Sequence, residues 1–253
     1  VSGALQRLKL VIAYDGRPFN GWQSQTGGGG IQDHIEAAAE KIAGVPVRLH
    51  GSGRTDAGVH ALGQVAHFDV ALPTHPPDRW QIALNANLPP EIRVLRVARA
   101  RGGREGFHAR FSATGKRYVY RVWNDRFLHP MEIGRAWLVP HELDFDALRE
   151  GTRLLTGRHD FAGFAANRGT LEKDTVRTIH DIRISRRGPL VTLTFEGDGF
   201  LYKMVRLLTG SLIRIAQGRG DTAWLRSILD SVAQKTQFAA PAEGLFLARV
   251  FYR

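Results

Sequence analysis

The sequence predicts an α+β protein of two pseudo-duplicated β-α-β-β-α-β halves, forming a mainly antiparallel sheet flanked by helices, with an active-site cleft between the halves. Three observations predict it. Hydrophobic periodicity switches between strand-like and helix-like spacing, in the same order twice along the chain. Gly, Pro and polar clusters punctuate the switches. The 253 residues are 43% apolar and 23% charged, enough to bury a sizeable core as one large domain or two small ones.

In the first half, Leu8–Tyr14 alternates as a strand. Behind a Gly-rich loop, Ile31, Ile35, Ala38, Ala39 and Ile42 recur at helical spacing until Gly44 and Pro46 stop the helix. Val45–His50 and Val65–Val70 read as strands, Pro76–Asn87 as a helix with Trp80 and Leu84 on one face, and Ile92–Val97 as a strand. In the second half, Arg117–Trp123 is a strand and Phe145–Leu155 a helix with Leu148, Thr152 and Leu155 inward. Val176–Ser185 and Leu190–Phe195 form a strand pair about Gly188-Pro189. Phe200–Gln217 is the longest helix, with Met204, Leu207, Leu208, Leu212 and Ile215 apolar; Thr222–Val232 is a shorter helix, and Gly244–Tyr252 is a closing strand. The repeat lies in element order alone. A hinge in the polar, Gly-containing stretch Arg101–Glu105 divides the chain into 1–104 and 105–253.

Thirty-five Lys and Arg against 24 Asp and Glu leave a net charge of +11. Residues 1–100 hold 10 basic and 8 acidic side chains, and residues 101–253 hold 25 and 16, so the second part carries most of the excess. Of the cations, 29 are Arg and six are Lys. Arg presents a planar fork that grips phosphate through two hydrogen bonds and stacks on bases, which favours nucleic acid over a membrane surface. A GC-rich genome that writes Arg wherever a cation will do is the competing explanation. The absence of Cys excludes disulfide frameworks, thiolate zinc sites and Cys nucleophiles. No apolar run approaches the ~20 residues of a membrane span. No basic stretch followed by an apolar one opens the sequence, so a cytoplasmic location is expected.

The densest chemistry lies in Gly51-Ser52-Gly53-Arg54-Thr55-Asp56-Ala57-Gly58-Val59-His60, between two expected strands. Its glycines permit close approach of backbone to a ligand. An Asx-type turn is the plain alternative, but the loop is long for a hairpin and crowds Arg, Thr, Asp and His together. Asp56 beside guanidinium groups stays ionised, suited to attack an electrophilic carbon or to stabilise a developing cation. His50, Asp56, His60 and His67 offer metal-ligand atom types, but their spacing matches no helical His pair or metalloprotease signature. Gly27–Gly30 precedes a helix, where phosphate loops sit, without the ending of a P-loop or the spacing of a dinucleotide fingerprint.

Lys116-Arg117-Tyr118-Val119-Tyr120-Arg121 interleaves cations and aromatics on a strand, as a surface that stacks unpaired bases requires, or as a sheet packed on a helix. In Phe200–Arg206, Arg206 interrupts an apolar helix, so it snorkels to solvent or meets a carboxylate. A pairing of Arg206 with Asp56 would put a site in the cleft between the halves.

At these three stretches the chain resembles the tRNA pseudouridine synthase A family. The likeness covers nearly the whole chain, through Tyr14-Asp15-Gly16, Gly21-Trp22-Gln23, Gly53–His60, Gly63-Gln64-Val65, Asn85–Pro89, Phe107–Thr114, Lys116–Tyr120, Val176–Ile179, Phe200–Arg206 and Ala240–Leu245. Leu207-Leu208-Thr209-Gly210 and the Gly27–Gly30 loop depart from the usual pattern. The resemblance implies isomerisation of uridines 38, 39 and 40 of the tRNA anticodon stem-loop to pseudouridine, by a homodimer with no cofactor and no metal. It implies Asp56 as the catalytic aspartate, on the 1–104 part. It implies Tyr118 as the tyrosine that stacks on the target uracil, Arg206 as the aspartate's partner, and Arg54 as the residue displacing the base. Lys116, Arg117 and Lys203 are expected to contact the RNA. The first chemical step stays open between attack on the sugar, addition to the base and a glycal-like route. A catalytically silent RNA-binding protein of the same fold and a metal-dependent hydrolase are the alternatives.

Overall fold

The computed structural model describes residues 4–101, 106–166, 174–231 and 234–253. It is α+β, with a mostly antiparallel set of ten strands. The chain forms two compact units, Val1–Thr114 with Leu247–Arg253, and Gly115–Phe246. Of the expected hinge, residues 102–105 lie outside the described residues. The closing strand groups with the first unit instead of following its neighbours in sequence. It lies beside a strand of that unit, where Gly63 gives it room: a Cβ there would stand 2.8 Å from the Ala248 carbonyl oxygen.

The first unit contains β1 (Leu5–Tyr14), α1 (Ile31–Ala43), β2 (His50–Gly51), β3 (His60–Ala71), α2 (Pro77–Asn87) and β4 (Ile92–Arg99). β1 pairs antiparallel with β3 on one side and β4 on the other. Leu8, Leu10, Ile12 and Tyr14 alternate inward along β1, as a half-buried strand requires. They share the buried core with Ile31, Ile35, Ala38 and Ala39 of α1 and with Trp80 and Leu84 of α2. Phe68 of β3 meets Trp80 edge to face at 5.3 Å.

Val45–His50 is not the strand that its apolar content predicts; only His50–Gly51 pairs with β3. Side chains of α1 take over the backbone groups that a ladder would use. Leu49 N–H donates to Glu36 Oε1 at 2.8 Å, and Gln32 Nε2 donates to Leu49 O at 3.2 Å. A segment satisfied from the side has no need of a strand partner.

The second unit contains β5 (Ala113–Trp123), β6 (Trp137–Leu138), α3 (Phe145–Leu155), β7 (Gly157–Asp160), β8 (Val176–Arg187), β9 (Leu190–Gly197), α4 (Met204–Ala216) and α5 (Thr222–Leu229). β10 (Leu245–Tyr252) follows and lies mostly in the first unit. Strand order is β5-β9-β8-β7, antiparallel throughout, with the short β6 parallel to β5. Buried Tyr120, Val122, Leu193 and Phe195 form the inner side of this sheet. Asp144 caps α3 by accepting from the Asp146 and Ala147 amides. Gly151 lets α3 cross α4 closely, since a Cβ there would reach Ile215 Cδ1 at 2.5 Å.

The helix expected over Phe200–Gln217 begins at Met204, four residues later than its apolar pattern predicts, and at 13 residues equals α1 in length. Lys203, its N-cap, has φ 58°, a left-handed conformation that breaks the helix on its N-terminal side. The shorter helix ends at Leu229; Val232 of its expected span lies outside the described residues. The two-residue β6 and four-residue β7 carried no usable periodicity.

His67 of β3 is 1% exposed. Its ring lies 5.1 Å from the His50 ring and 4.6 Å from the His108 ring. Burial, reinforced by the charges of Arg7, His108 and His50, pushes its pKa down to about 3. An unfolded His titrates near 6.5, so the unfolded chain takes up a proton that the folded chain refuses between there and about 3. Stability is therefore expected to fall as pH falls through that window, by up to about 1.4 kcal/mol per unit. His67→Gln should flatten the pH dependence of the urea midpoint between pH 6.5 and 4, leaving the part due to His108, which burial also lowers.

Candidate active site

Asp56 stands in the loop between β2 and β3, and the loop is strapped on every side by short-range contacts. Val59 N–H donates to Asp56 O at 3.1 Å, closing a turn in which Gly58 takes φ 77°. Trp22 N–H donates to Thr55 O at 3.1 Å. The hydroxyls of Thr55 and Tyr14, both buried, meet at 2.8 Å. On the other flank, Ser52 Oγ donates to Gln64 Oε1 at 2.6 Å and Gln64 Nε2 donates to Gly53 O at 2.9 Å.

Two glycines make the close docking possible. Gly21, at φ 83°, would place a Cβ 2.7 Å from Thr55 O, and a Cβ on Gly16 would collide with the Val59 carbonyl. Gly16 N–H also donates to His60 Nδ1 at 3.2 Å, which holds the end of the loop. The backbone around Asp56 is thus set by β1, by the turn after it and by β3, while the Asp56 side chain stays half-buried. A carboxylate placed on such a frame is positioned before any ligand arrives.

Arg54 is exposed, and its Nε donates to Gln23 Oε1 at 2.9 Å. Gln23 Nε2 in turn donates to Gln32 Oε1 at 2.8 Å, and Gln32 is 2% exposed. The Arg54 stem is therefore tied through two amides to α1. Gln23 and Gln64 take positioning roles that only the structure shows. The signal available beforehand was their place in Gly21-Trp22-Gln23 and Gly63-Gln64-Val65, polar residues between apolar or small ones.

The remaining expected site residues lie in the second unit. Tyr118 of β5 is 8% exposed, with its ring edge to face against Phe200 at 5.2 Å. Its neighbour on the same strand face, Tyr120, is structural: its hydroxyl donates to Pro241 O at 2.7 Å. Burial raises that phenol well above its ordinary range, against the opposing charge of Arg206. Arg206 is clamped to Ala240, Nε donating to Ala240 O at 2.8 Å and Ala240 N–H donating to Arg206 O at 3.0 Å. Gly210, one turn on, allows the Phe238 carbonyl to press against the helix. Lys203 lies at the helix start with Nζ 5.3 Å from the Tyr202 ring.

Arg117 donates from Nε and Nη2 to Glu196 Oε2, at 2.8 and 2.6 Å. That cation is held in a cross-strand pair. Lys116 is half-buried on the Tyr118 face of β5. Of the metal-ligand types weighed from sequence, His50 and His67 stack ring on ring, and His60 Nδ1 accepts from Gly16. Among the described residues, no three His, Asp or Glu side chains are placed to hold a metal ion.

The fold and the loop define a class: an α+β protein that displays one preset aspartate on a glycine-docked turn within an arginine-rich chain. The chain belongs to the tRNA pseudouridine synthase family, whose model matches residues 10–112 and 152–253. A protein called tRNA pseudouridine synthase A in Akkermansia muciniphila is 45% identical over 257 residues, covering 98% of this chain and 96% of its own. Proteins of the same name in Geobacillus kaustophilus and Bradyrhizobium sp. are 41% and 42% identical, each over 98% of this chain and over 95% and 100% of their own.

The docking of the loop gives a direct test. Gly21 and Gly28 both have positive φ, but nothing lies within 4 Å of a Cβ at Gly28. Gly28→Ala should cost only the backbone strain, about 1 kcal/mol. Gly21→Ala should cost about 1–3 kcal/mol more, because the Thr55 carbonyl must move. Thermal denaturation of the two variants beside the parent protein measures the difference.

Proposed function

We propose that this protein isomerises uridines 38, 39 and 40 in the anticodon stem-loop of tRNA to pseudouridine, with Asp56 as the reacting carboxylate. The observation that carries the reading is the Asp56 loop itself: a single carboxylate held on a frame of buried hydrogen bonds, in a chain of the tRNA pseudouridine synthase family. The reaction breaks the N1–C1′ bond, turns the uracil, joins C5 to C1′, and passes the C5 proton on while N1 gains one. Atoms and electrons balance within one nucleotide, so no redox partner and no water are consumed. A half-buried carboxylate suits this chemistry, because the sugar or base must be met by an anion without a proton to give.

A stacked uridine must leave the helix before it reacts, at a cost of a few kcal/mol. Arg54, exposed and tethered by Gln23, is assigned to the space left by the base, and Tyr118 to the face of the extruded uracil. Arg206 is assigned to hold the Asp56 charge. The Ala240 clamp supports that role, since it spends Nε and orients the guanidinium. Lys116 and Lys203 are assigned to the RNA backbone. Arg117 shares that role only where its Glu196 pairing yields to phosphate. The protein works in the cytoplasm as a homodimer in this reading.

Asp56→Asn is expected to abolish pseudouridine formation, by at least a thousandfold in single turnover, while tRNA affinity changes less than about threefold. Mass-spectrometric mapping of an unmodified tRNA with uridines at 38–40, before and after incubation, reads the product. Full turnover by the variant sinks the assignment. Product at other positions moves the substrate elsewhere. Tight binding with no product from the parent protein favours a silent RNA-binding protein.

A further inference from the structure

We propose that the cleft at the C-terminal end of α4, lined by Arg214, Gly218, Arg219, Gly220, Asp221 and Trp224, binds a phosphodiester of the substrate RNA away from the reacting nucleotide. The proposal rests on the tRNA reading above and adds a second contact to it. The cleft is open and has a volume of about 420 Å³.

Arg214 lies in the last turn of α4 and is half-buried. Its guanidinium sits 4.1 Å from the centre of the Phe238 ring and 5.7 Å from that of Trp224. The two rings are 6.0 Å apart and tilted by 62°. Aromatic faces hold the cation flat and leave its N–H edges to point outward. Beyond the helix, Gly218 turns the chain at φ 69°, and Arg219 N–H donates to Arg214 O at 3.0 Å. That bond returns Arg219, which is exposed, to the rim beside Arg214.

Neither guanidinium has a carboxylate partner among the described residues, whereas Arg7, Arg117, Arg121 and Arg183 are all paired. The one acid of the lining, Asp221, caps α5 by accepting from Trp224 N–H at 2.7 Å. Trp224 Nε1–H has no acceptor among the described residues. The cleft therefore offers two cationic forks and an indole N–H against the single negative charge of Asp221, whose Oδ1 is turned to the α5 N-terminus. Such a set of donors suits phosphate oxygens. An incoming phosphate supplies a counter-charge to both guanidinium groups. The openness of the cleft suits a polymer that passes across it.

The test measures tRNA affinity between 50 and 300 mM salt for the parent protein, Arg219→Gln, and Arg214→Gln/Arg219→Gln, with Asp56→Asn run alongside. Each lost phosphate contact should make the log–log salt slope shallower by about 0.7–0.9 and weaken binding roughly three- to tenfold at low salt. Arg219 is exposed, so its variant keeps the fold and reads the contact without loss of packing. An unchanged slope in both variants overturns the proposal. Binding of inorganic phosphate to the parent protein that disappears in the double variant, with tRNA affinity and slope intact, also overturns it and makes the cleft a small-anion site. If the parent makes no pseudouridine, the proposed reaction falls, but the slope still decides whether the cleft holds RNA.

Discussion

The structure depends on how closely backbone can approach backbone around Asp56. Gly16 and Gly21 lie where any side chain would strike the carbonyls of Val59 and Thr55. Through that contact the turn after β1 becomes the floor of the loop, and the Tyr14–Thr55 hydroxyl pair and the Gln64 amide close its sides. Each bond taken alone contributes about 1 kcal/mol. Their value lies in over-determination: the backbone that carries Asp56 is held by several partners that would all have to move together.

The second unit repeats this logic with a helix in place of a turn. Gly210 lets the Phe238 carbonyl lie against α4. The segment so docked then supplies Ala240 to clamp Arg206 through both main chain and side chain. An arginine inside an apolar helix would otherwise extend to solvent. Here its stem is committed to one direction, and the late, left-handed start of α4 at Lys203 leaves Phe200 free to meet Tyr118.

The excess positive charge is unevenly deployed. Arg7 reaches Asp69 and the Phe107 carbonyl, and Arg117 and Arg121 reach Glu196 and Glu132, so these cations hold the fold together. A raw count of arginines overstates the surface available to an anion. Arg54, Arg214 and Arg219 are among those whose described contacts are to an amide, to aromatic faces or to backbone, none of which neutralises the charge.

The order of the longer elements, the inward faces of α1 and α2, and the glycine-rich turn around Asp56 were legible in the sequence, because hydrophobic spacing and glycine placement act locally. Tertiary structure alone decided which polar groups were spent. It gave Tyr120 a backbone acceptor and Arg117 a carboxylate, satisfied Val45–Leu49 from the side of a helix, and took the last strand into the first unit. Such outcomes turn on partners tens of residues away, and periodicity carries no information about which distant atom will fill a given hydrogen bond.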